Sequence, residues 1–386
     1  MASASVPRRA VGISGSSRRT PAAAWRHVDI GLALATIGVA SFGLLMIYSA
    51  TRDKLIAQGL DPGYYLKRQV AFVLVGIVVM GVVASIDYRR LRDFGPAFYG
   101  ASVLALLLIL SPLGKKSKGA QAWFQIGAYQ LEPSEFAKIA IIVGLAGICA
   151  NYKGRLGGRE LMVVLGLAAV PLALIYRQPD LGTALVIGAI LVGVLLVGGL
   201  QARHLAVLVV VGVVAVVAVL HFGALKQYQR DRLTAFLDSS SNVQATYNLN
   251  QSKITISSGG ISGKGLFKGS QTNLSYVPEQ QTDFIFTAVG EQLGLVGSAL
   301  LLSLFVLIVW RTWRAATTAR DPTGTLICVG VLAMLVFQIF QNVGMTMGIM
   351  PITGIPLPFM SYGGSSIVAA FAGIGLVLNV HMRRYS

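Results

Sequence analysis

Along most of this chain the apolar residues come in blocks rather than in alternation. Ten blocks rich in Val, Leu, Ile, Ala, Phe and Gly occupy residues 28–50, 69–86, 97–113, 137–151, 160–176, 182–200, 203–223, 284–310, 325–349 and 365–381. A helix needs about 20 apolar residues to cross the hydrocarbon of a bilayer, so each block predicts a spanning helix. The fourth and fifth blocks are short and the eighth is long, while Ala206 to Leu220 is almost unbroken Val, Ala and Leu. No segment alternates with period two over about ten residues, which argues against a transmembrane β-barrel. The expectation is an all-α, polytopic membrane protein of about ten spans.

Composition points the same way. Of the 386 residues 54% are hydrophobic and 12% charged, against roughly 25% charged in a soluble domain. The mean hydropathy is +0.69. Such a chain cannot cover itself with polar surface, and it is too apolar to be disordered as a whole. Its 44 glycines suit close packing of membrane helices. Cys149 and Cys328 are too few for a disulfide scaffold or a four-cysteine zinc site, and both lie in apolar runs that predict buried thiols. His27, His204, His221 and His381 share no metal-binding spacing.

The net charge of +17 is assigned to cytoplasmic loops and anionic lipid rather than to nucleic acid. With the N-terminus inside, Lys and Arg on the inner segments outnumber those on the short outer loops by roughly two to one. That bias predicts both termini in the cytoplasm. Residues 1–24, rich in Ala, Ser, Pro and Arg, read as a disordered cytoplasmic tail ahead of a membrane domain at 25–386. The segment 224–283 is the one long polar connection, extracytoplasmic in this orientation. Two amphipathic runs in it (Leu233 near Phe236, Ile254 near Ile256) predict that it folds back on the membrane surface.

Ionisable groups at membrane depth are costly, so those next to spans are the candidates for chemistry. In Pro133-Ser134-Glu135-Phe136-Ala137-Lys138 the proline suits a first helical position, with Glu132 at the cap. Glu135 and Lys138, three apart, share a face and form either a structural ion pair or the wall of a polar cavity. Lys115, Lys116 and Lys118 precede them, solvated or facing anionic groups. In Gln178-Pro179-Asp180-Leu181-Gly182-Thr183, Asp180 caps the next helix or faces a site. Pro278-Glu279-Gln280-Gln281-Thr282-Asp283-Phe284 runs into the eighth span, with Thr282 or Asp283 as its expected cap. A carboxylate at that boundary keeps access to a water-soluble sugar while partial desolvation raises its basicity. Glu291 is expected about two turns deeper, packed inside the bundle or facing the cytoplasmic half through an internal hydrogen bond. The Pro/Gly-rich stretch 342–366, which holds Ser361, is irregular backbone tolerated at depth only if protein buries it or it lines a wet cavity. It is placed beside Asp283.

Four of these patterns, Pro-Ser-Glu-Phe-Ala-Lys (133–138), Gln-Pro-Asp-Leu-Gly-Thr (178–183), Pro-Glu-Gln-Gln-Thr-Asp-Phe-Ile-Phe (278–286) and Pro-Leu-Pro-Phe-Met-Ser-Tyr-Gly-Gly-Ser-Ser (356–366), resemble the SEDS family (shape, elongation, division and sporulation). The likeness covers roughly 28–382. Tyr228-Gln229-Arg230-Asp231-Arg232 and the stretch 247–271 are more similar to the elongation branch than to the division branch. The resemblance implies a ten-span glycosyltransferase of the bacterial cytoplasmic membrane that joins lipid II, an undecaprenyl-pyrophosphate-linked disaccharide-pentapeptide, into glycan strands on the extracytoplasmic side. It implies a catalytic aspartate at Asp283, the family's buried Glu/Lys pair at Glu135 and Lys138, and a class B penicillin-binding protein with other cell-elongation machinery as partners. Gln281 stands where His is frequent and Glu132 where Gln is frequent; neither change removes an ionisable group the reaction should need.

Chemistry then assigns roles. Asp283 is the expected general base for the acceptor hydroxyl. Lys138, Arg232, Lys115 and a divalent cation, Mg or Mn, are the candidates to compensate the pyrophosphate. Asp180 and Ser361 are further candidates for substrate contact. The competing readings are a flippase for the lipid-linked precursor and a non-catalytic scaffold for a transpeptidase.

Overall fold

The computed structural model describes residues 27–117, 120–127, 129–152, 156–221, 227–237 and 244–384. The expected tail at 1–24 lies outside the described residues, as does Lys118. A helix stands at each of the ten apolar blocks. In chain order the first elements are α1 (Ile30–Ala57), α2 (Tyr64–Ser85), the short α3 (Tyr88–Asp93) and α4 (Gly95–Ile109). A small sheet follows, of β1 (Gly114–Ser117), β2 (Ala120–Ile126) and β3 (Tyr129–Leu131), and then α5 (Pro133–Asn151), α6 (Gly158–Arg177), α7 (Leu181–Val197) and α8 (Ala202–His221). The long connection carries α9 (Gln227–Leu237), α10 (Gln244–Ser257) and α11 (Ser270–Asn273) before the closing helices α12 (Ile285–Thr317), α13 (Pro322–Met347) and α14 (Gly364–Met382). By length and composition α1, α2, α5, α6, α12, α13 and α14 are able to cross a membrane, and α4, α7 and part of α8 are shorter apolar helices.

Local chemistry sets the helix ends. Asp29, Asp180 and Asp321 cap α1, α7 and α13 by accepting from the N–H of Leu32, Thr183 and Gly324 at 3.0, 3.0 and 2.9 Å. Pro133 and Pro322 occupy first turns. At the start of α12 the outcome differs from expectation. Phe284 is the cap residue and donates no side-chain cap; the Thr282 hydroxyl turns back to the Glu279 carbonyl, 3.1 Å away. Asp283 therefore does not cap the helix.

The core is centred on α14, whose Phe371, Ile374 and Val377 are fully buried. Glycines let the backbones close up around it: Gly76 of α2 meets the Phe371 ring, and Gly375 of α14 meets the Met80 backbone. The outward faces are apolar, as with Val75, Val78 and Val82 of α2, Val207, Val210 and Val214 of α8, and Leu295, Leu300 and Val306 of α12. These belts are the surface a bilayer would solvate.

The segment 244–283 is folded onto the bundle. Gly294 breaks α12 with φ 62° and ψ −156°. The freed N–H groups of Leu295 and Val296 donate to Gly260 and Ile261 at 3.0 and 3.1 Å. In return, Lys264 and Gly265 donate their N–H groups to the carbonyls of Glu291 and Gln292 at 3.0 and 2.9 Å. The kink thus has a stated cause, a glycine-rich loop stitched into an interrupted helix. Glu291 is fully buried there. It accepts from the N–H groups of Gln271 and Thr272, both 2.9 Å, and from Lys264 Nζ at 2.8 Å. Its position inside the bundle matches the expectation, and its role is to fasten the loop.

The sheet was not legible as such. It is antiparallel, ordered β1-β2-β3, with Gly114 opposite Phe124 and Phe124 opposite Leu131. It stands over the N-terminus of α5 and forms part of the wall described next.

Candidate active site

One end of the bundle encloses a cavity of about 730 Å³. Five separate stretches of chain contribute ionisable groups to its wall: α1–α2 (Lys54, Arg68), the α5 N-terminus (Glu132, Glu135, Lys138), the α6–α7 turn (Asp180), α9 (Arg232) and the approach to α12 (Glu279, Asp283). The α13–α14 connection supplies irregular backbone, Pro351 to Pro356 with Tyr362 and Gly363, and α14 begins at the wall with Gly364, Ser365 and Ser366. Such backbone belongs where it lines a polar space, as the sequence suggested.

Asp283 is half-buried at this wall. Its backbone is held on both sides. Its N–H donates to the Glu279 carbonyl at 3.2 Å, and its own carbonyl accepts from Asn342 Nδ2 at 2.9 Å. Arg232 stands beside it. A Cβ built on Gly354 would lie 3.4 Å from both an Arg232 Nη and an Asp283 Oδ. The guanidinium and the carboxylate thus face one small volume, kept open by a glycine whose φ of 77° itself disfavours other residues.

The Glu135–Lys138 pair forms another part of the wall. Nζ and Oε1 are 2.7 Å apart, and the residues are 4% and 1% exposed. Both readings of that spacing hold together: it is a structural ion pair, and it lines the cavity. Glu132 sits at the cap of α5, accepting from Trp123 Nε1 at 3.1 Å and from the Ser134 hydroxyl at 3.0 Å. Burial first, then the negative charges of Glu135 and Asp180, push its carboxyl up to about 8.

Two of the seven sequence candidates fall elsewhere. Lys115 lies on β1, exposed, with Nζ 3.2 Å from Gln125 Oε1, and does not line the cavity. Ser361 is 2% exposed and its Oγ accepts from the Leu357 N–H at 2.9 Å. That bond fixes the turn of the α13–α14 connection. Asp180 both caps α7 and lines the cavity. The sequence reading missed Lys54 and Arg68, because nothing in the α1–α2 connection marks them locally. Arg68 carries its guanidinium over the rings of Tyr64 and Tyr129, 5.0 and 4.8 Å from their centroids.

A divalent cation fits these donors in one way only. Among the described residues no three His, Cys, Asp or Glu side chains are grouped to hold a metal. The wall offers separate oxygen donors at Asp180, Glu279 and Asp283. That set suits Mg²⁺ or Mn²⁺ held by one or two carboxylates plus a substrate's phosphates, and not a dedicated protein cage.

The fold and the site define a polytopic helical membrane protein with a charged cavity at one end of its bundle. The model of the FtsW/RodA/SpoVE family, described as cell cycle protein, matches residues 31–386. The chain belongs to that family. It is 36% identical over 359 residues to the peptidoglycan glycosyltransferase MrdB of Escherichia coli K12, spanning 93% of this chain and 94% of that one. It is 34% identical over 363 residues to the probable peptidoglycan glycosyltransferase FtsW of Geobacter metallireducens, spanning 92% and 95%. A solved structure of a peptidoglycan synthase complex, concerned with coordinating polymerization and crosslinking, superposes with a TM-score of 0.80 at 32% identity, over 94% of this chain and all of that one. The crystal structure of the rod shape determining protein RodA of Thermus thermophilus gives 0.70 at 31% identity, over 94% and 99%.

Proposed function

We propose that the cavity is the polymerising site of a peptidoglycan glycosyltransferase, acting on lipid II during cell elongation, with Asp283 as general base. The observation that carries the assignment is the shared volume at Gly354, where the Asp283 carboxylate and the Arg232 guanidinium meet at the cavity wall. A base and an anion-compensating group side by side are what this transfer requires.

The reaction follows from the donor's chemistry. Asp283 takes the proton of the acceptor's 4-hydroxyl as that oxygen attacks the donor's anomeric carbon. The bond from that carbon to the pyrophosphate oxygen breaks, and the α linkage inverts to β. Pyrophosphate leaves without needing a proton, so no second carboxyl is required as acid, unlike glycoside hydrolysis. Arg232, Arg68, Lys54 and Lys138 supply positive charge around the leaving group. A bound Mg²⁺ or Mn²⁺ would add charge neutralisation at the phosphates, with Asp180, Glu279 or Asp283 as its protein donors.

The lipid stays in the bilayer. Phe72 and Leu185 line the cavity, and Leu185 is 45% exposed on the apolar exterior. A prenyl tail would leave past this apolar side of the cavity. The cavity end is assigned to the extracytoplasmic face and both termini to the cytoplasm, following the distribution of Arg and Lys. A class B penicillin-binding transpeptidase is the expected partner.

The test is polymerisation of lipid II by the purified chain in detergent, with and without the transpeptidase and with metal chelated. Asp283→Ala should make no glycan polymer while melting at the wild-type temperature. Wild-type polymerisation by Asp283→Ala would refute the base assignment. A flippase would make no polymer in detergent, and a scaffold would alter only its partner.

A further inference from the structure

Three helices that border the catalytic cavity also meet at the other end of the bundle. Counted at 1.5 Å per residue, Arg311 lies about 40 Å along α12 from Asp283. Helix α14 starts at the cavity with Gly364 and ends at Met382; α1 runs the opposite way, from Asp29 towards Lys54. Where α1 begins and α12 and α14 end, a second cavity of about 310 Å³ opens, lined by Asp29, Gly31, Arg311, Arg314, His381 and Arg384.

Its charge is unbalanced. Three arginines face one carboxylate, Asp29, with His381 beside them. That carboxylate is already committed: Oδ1 caps α1 and accepts from Arg311 Nη1 at 2.9 Å. The arrangement is built rather than incidental. The Arg311 guanidinium lies against the backbone of Gly31, where an added Cβ would come within 2.8 Å of Nη2. It also lies 5.4 Å from the centroid of the Trp310 ring. Two buried nitrogens at the cavity lack a protein partner, Arg311 Nε and His381 Nδ1, and His381 is only 8% exposed. A buried guanidinium N–H left without a partner beside a cationic cavity calls for an anionic acceptor, and the Nδ1–H tautomer of His381 would add a second donor. Trp310 and Trp313, 49% and 53% exposed, flank the site on the outer face of α12. Exposed tryptophans near a helix end mark headgroup depth.

We propose that this cavity binds a phosphate group, supplied by the headgroup of an anionic phospholipid. Phosphate oxygens fit the donor set: guanidinium forks from α12 and from the end of α14, and an imidazole between them. The two exposed tryptophans favour a lipid over a free ion, because such side chains sit at headgroup depth.

The experiment titrates the full chain in detergent with short-chain phosphatidylglycerol, phosphatidylcholine or inorganic phosphate, and counts bound ligand by native mass spectrometry. Wild type should retain phosphatidylglycerol well above phosphatidylcholine. Arg314→Gln/Arg384→Gln should weaken that retention about tenfold or more, while Arg314→Lys/Arg384→Lys should keep most of it. Lipid II polymerisation by each variant in detergent reports that it is folded. Inorganic phosphate that binds alone with the same sensitivity to the Gln variant would support the phosphate chemistry and overturn the lipid source. Equal retention of both lipids by wild type, or unchanged phosphatidylglycerol retention by the Gln variant, would overturn the site.

Discussion

Asn342 holds Asp283 from behind. The Asn342 Nδ2 donates to the Asp283 carbonyl at 2.9 Å and to the Ile355 carbonyl at 2.8 Å, and the side chain is completely buried in α13. One amide thus ties the approach to α12, which carries the proposed base, to the α13–α14 connection, which carries Gly354. Asn342→Leu would leave the buried Ile355 carbonyl and the part-buried Asp283 carbonyl without that donor, at about 1–3 kcal/mol. Polymerisation by Asn342→Leu should fall well beyond what a lower melting temperature explains, when assayed far below the melting point. Full activity in that variant would mean that the register of these two segments does not matter to the reaction.

Gly354 is the other side of that contact. Its φ of 77° is in the left-handed region, where a side chain costs about 1–3 kcal/mol. An alanine methyl would also sit 3.4 Å from both Arg232 and Asp283. Gly354→Ala should therefore lower kcat strongly with a small loss of stability. If it melts and polymerises as wild type does, the volume between base and guanidinium is not where the acceptor hydroxyl goes.

Much of this architecture is written locally, and the exceptions have physical reasons. The helices at the ten apolar blocks are legible because each is a continuous apolar run with its own backbone hydrogen bonds, independent of what it packs against. Asp180 and Pro133 are legible because caps and first turns are local devices. The sheet is different. In Ala120-Gln121-Ala122-Trp123-Phe124-Gln125-Ile126 the alternation is brief, and its pairing is completed by Gln121, whose Nε2 reaches the carbonyls of Ile109 and Ser111 at 2.9 Å each. Such tertiary bonds leave no periodic mark. Lys115 looked like a phosphate ligand because Lys-rich runs next to a motif invite that reading, but β1 carries it away from the cavity. Arg68 and Lys54 were missed for the converse reason. More than 200 residues separate them from Asp283, and only the packing of α1 on α12 and of α2 on α14 brings them to one wall.

The Glu135–Lys138 pair makes a prediction about stability and function separately. Removing one partner of a buried pair leaves an uncompensated charge and typically costs about 3–5 kcal/mol. Glu135→Ala should lower the melting temperature and abolish polymerisation. Glu135→Gln with Lys138→Met removes both charges, and the loss of stability should be much smaller than for Glu135→Ala. Polymerisation should nevertheless stay low, because Lys138 is one of the cations facing the cavity. A double variant that recovers both stability and activity would reduce the pair to a structural element.

Glu132 gives the site a pH dependence with a definite sign. Its carboxyl is pushed up to about 8 by burial, then by Glu135 and Asp180. In the unfolded chain it titrates in the ordinary carboxylate range, so between that range and about 8 the folded protein holds a proton that the unfolded chain has released. The stabilisation from this group is therefore complete at acid pH and is lost as pH rises through the folded value. Glu132→Gln stays neutral throughout. Its melting temperature should gain on wild type as pH increases from mildly acidic to mildly alkaline. Activity should follow the same direction. An ionised Glu132 adds negative charge to a wall that must receive pyrophosphate, so the wild-type KM for lipid II should rise on the alkaline side while that of Glu132→Gln stays flat. Parallel melting curves and parallel KM profiles for the two proteins across this interval would show that Glu132 is ionised throughout, and that the crowding of carboxyls around it does not hold a proton.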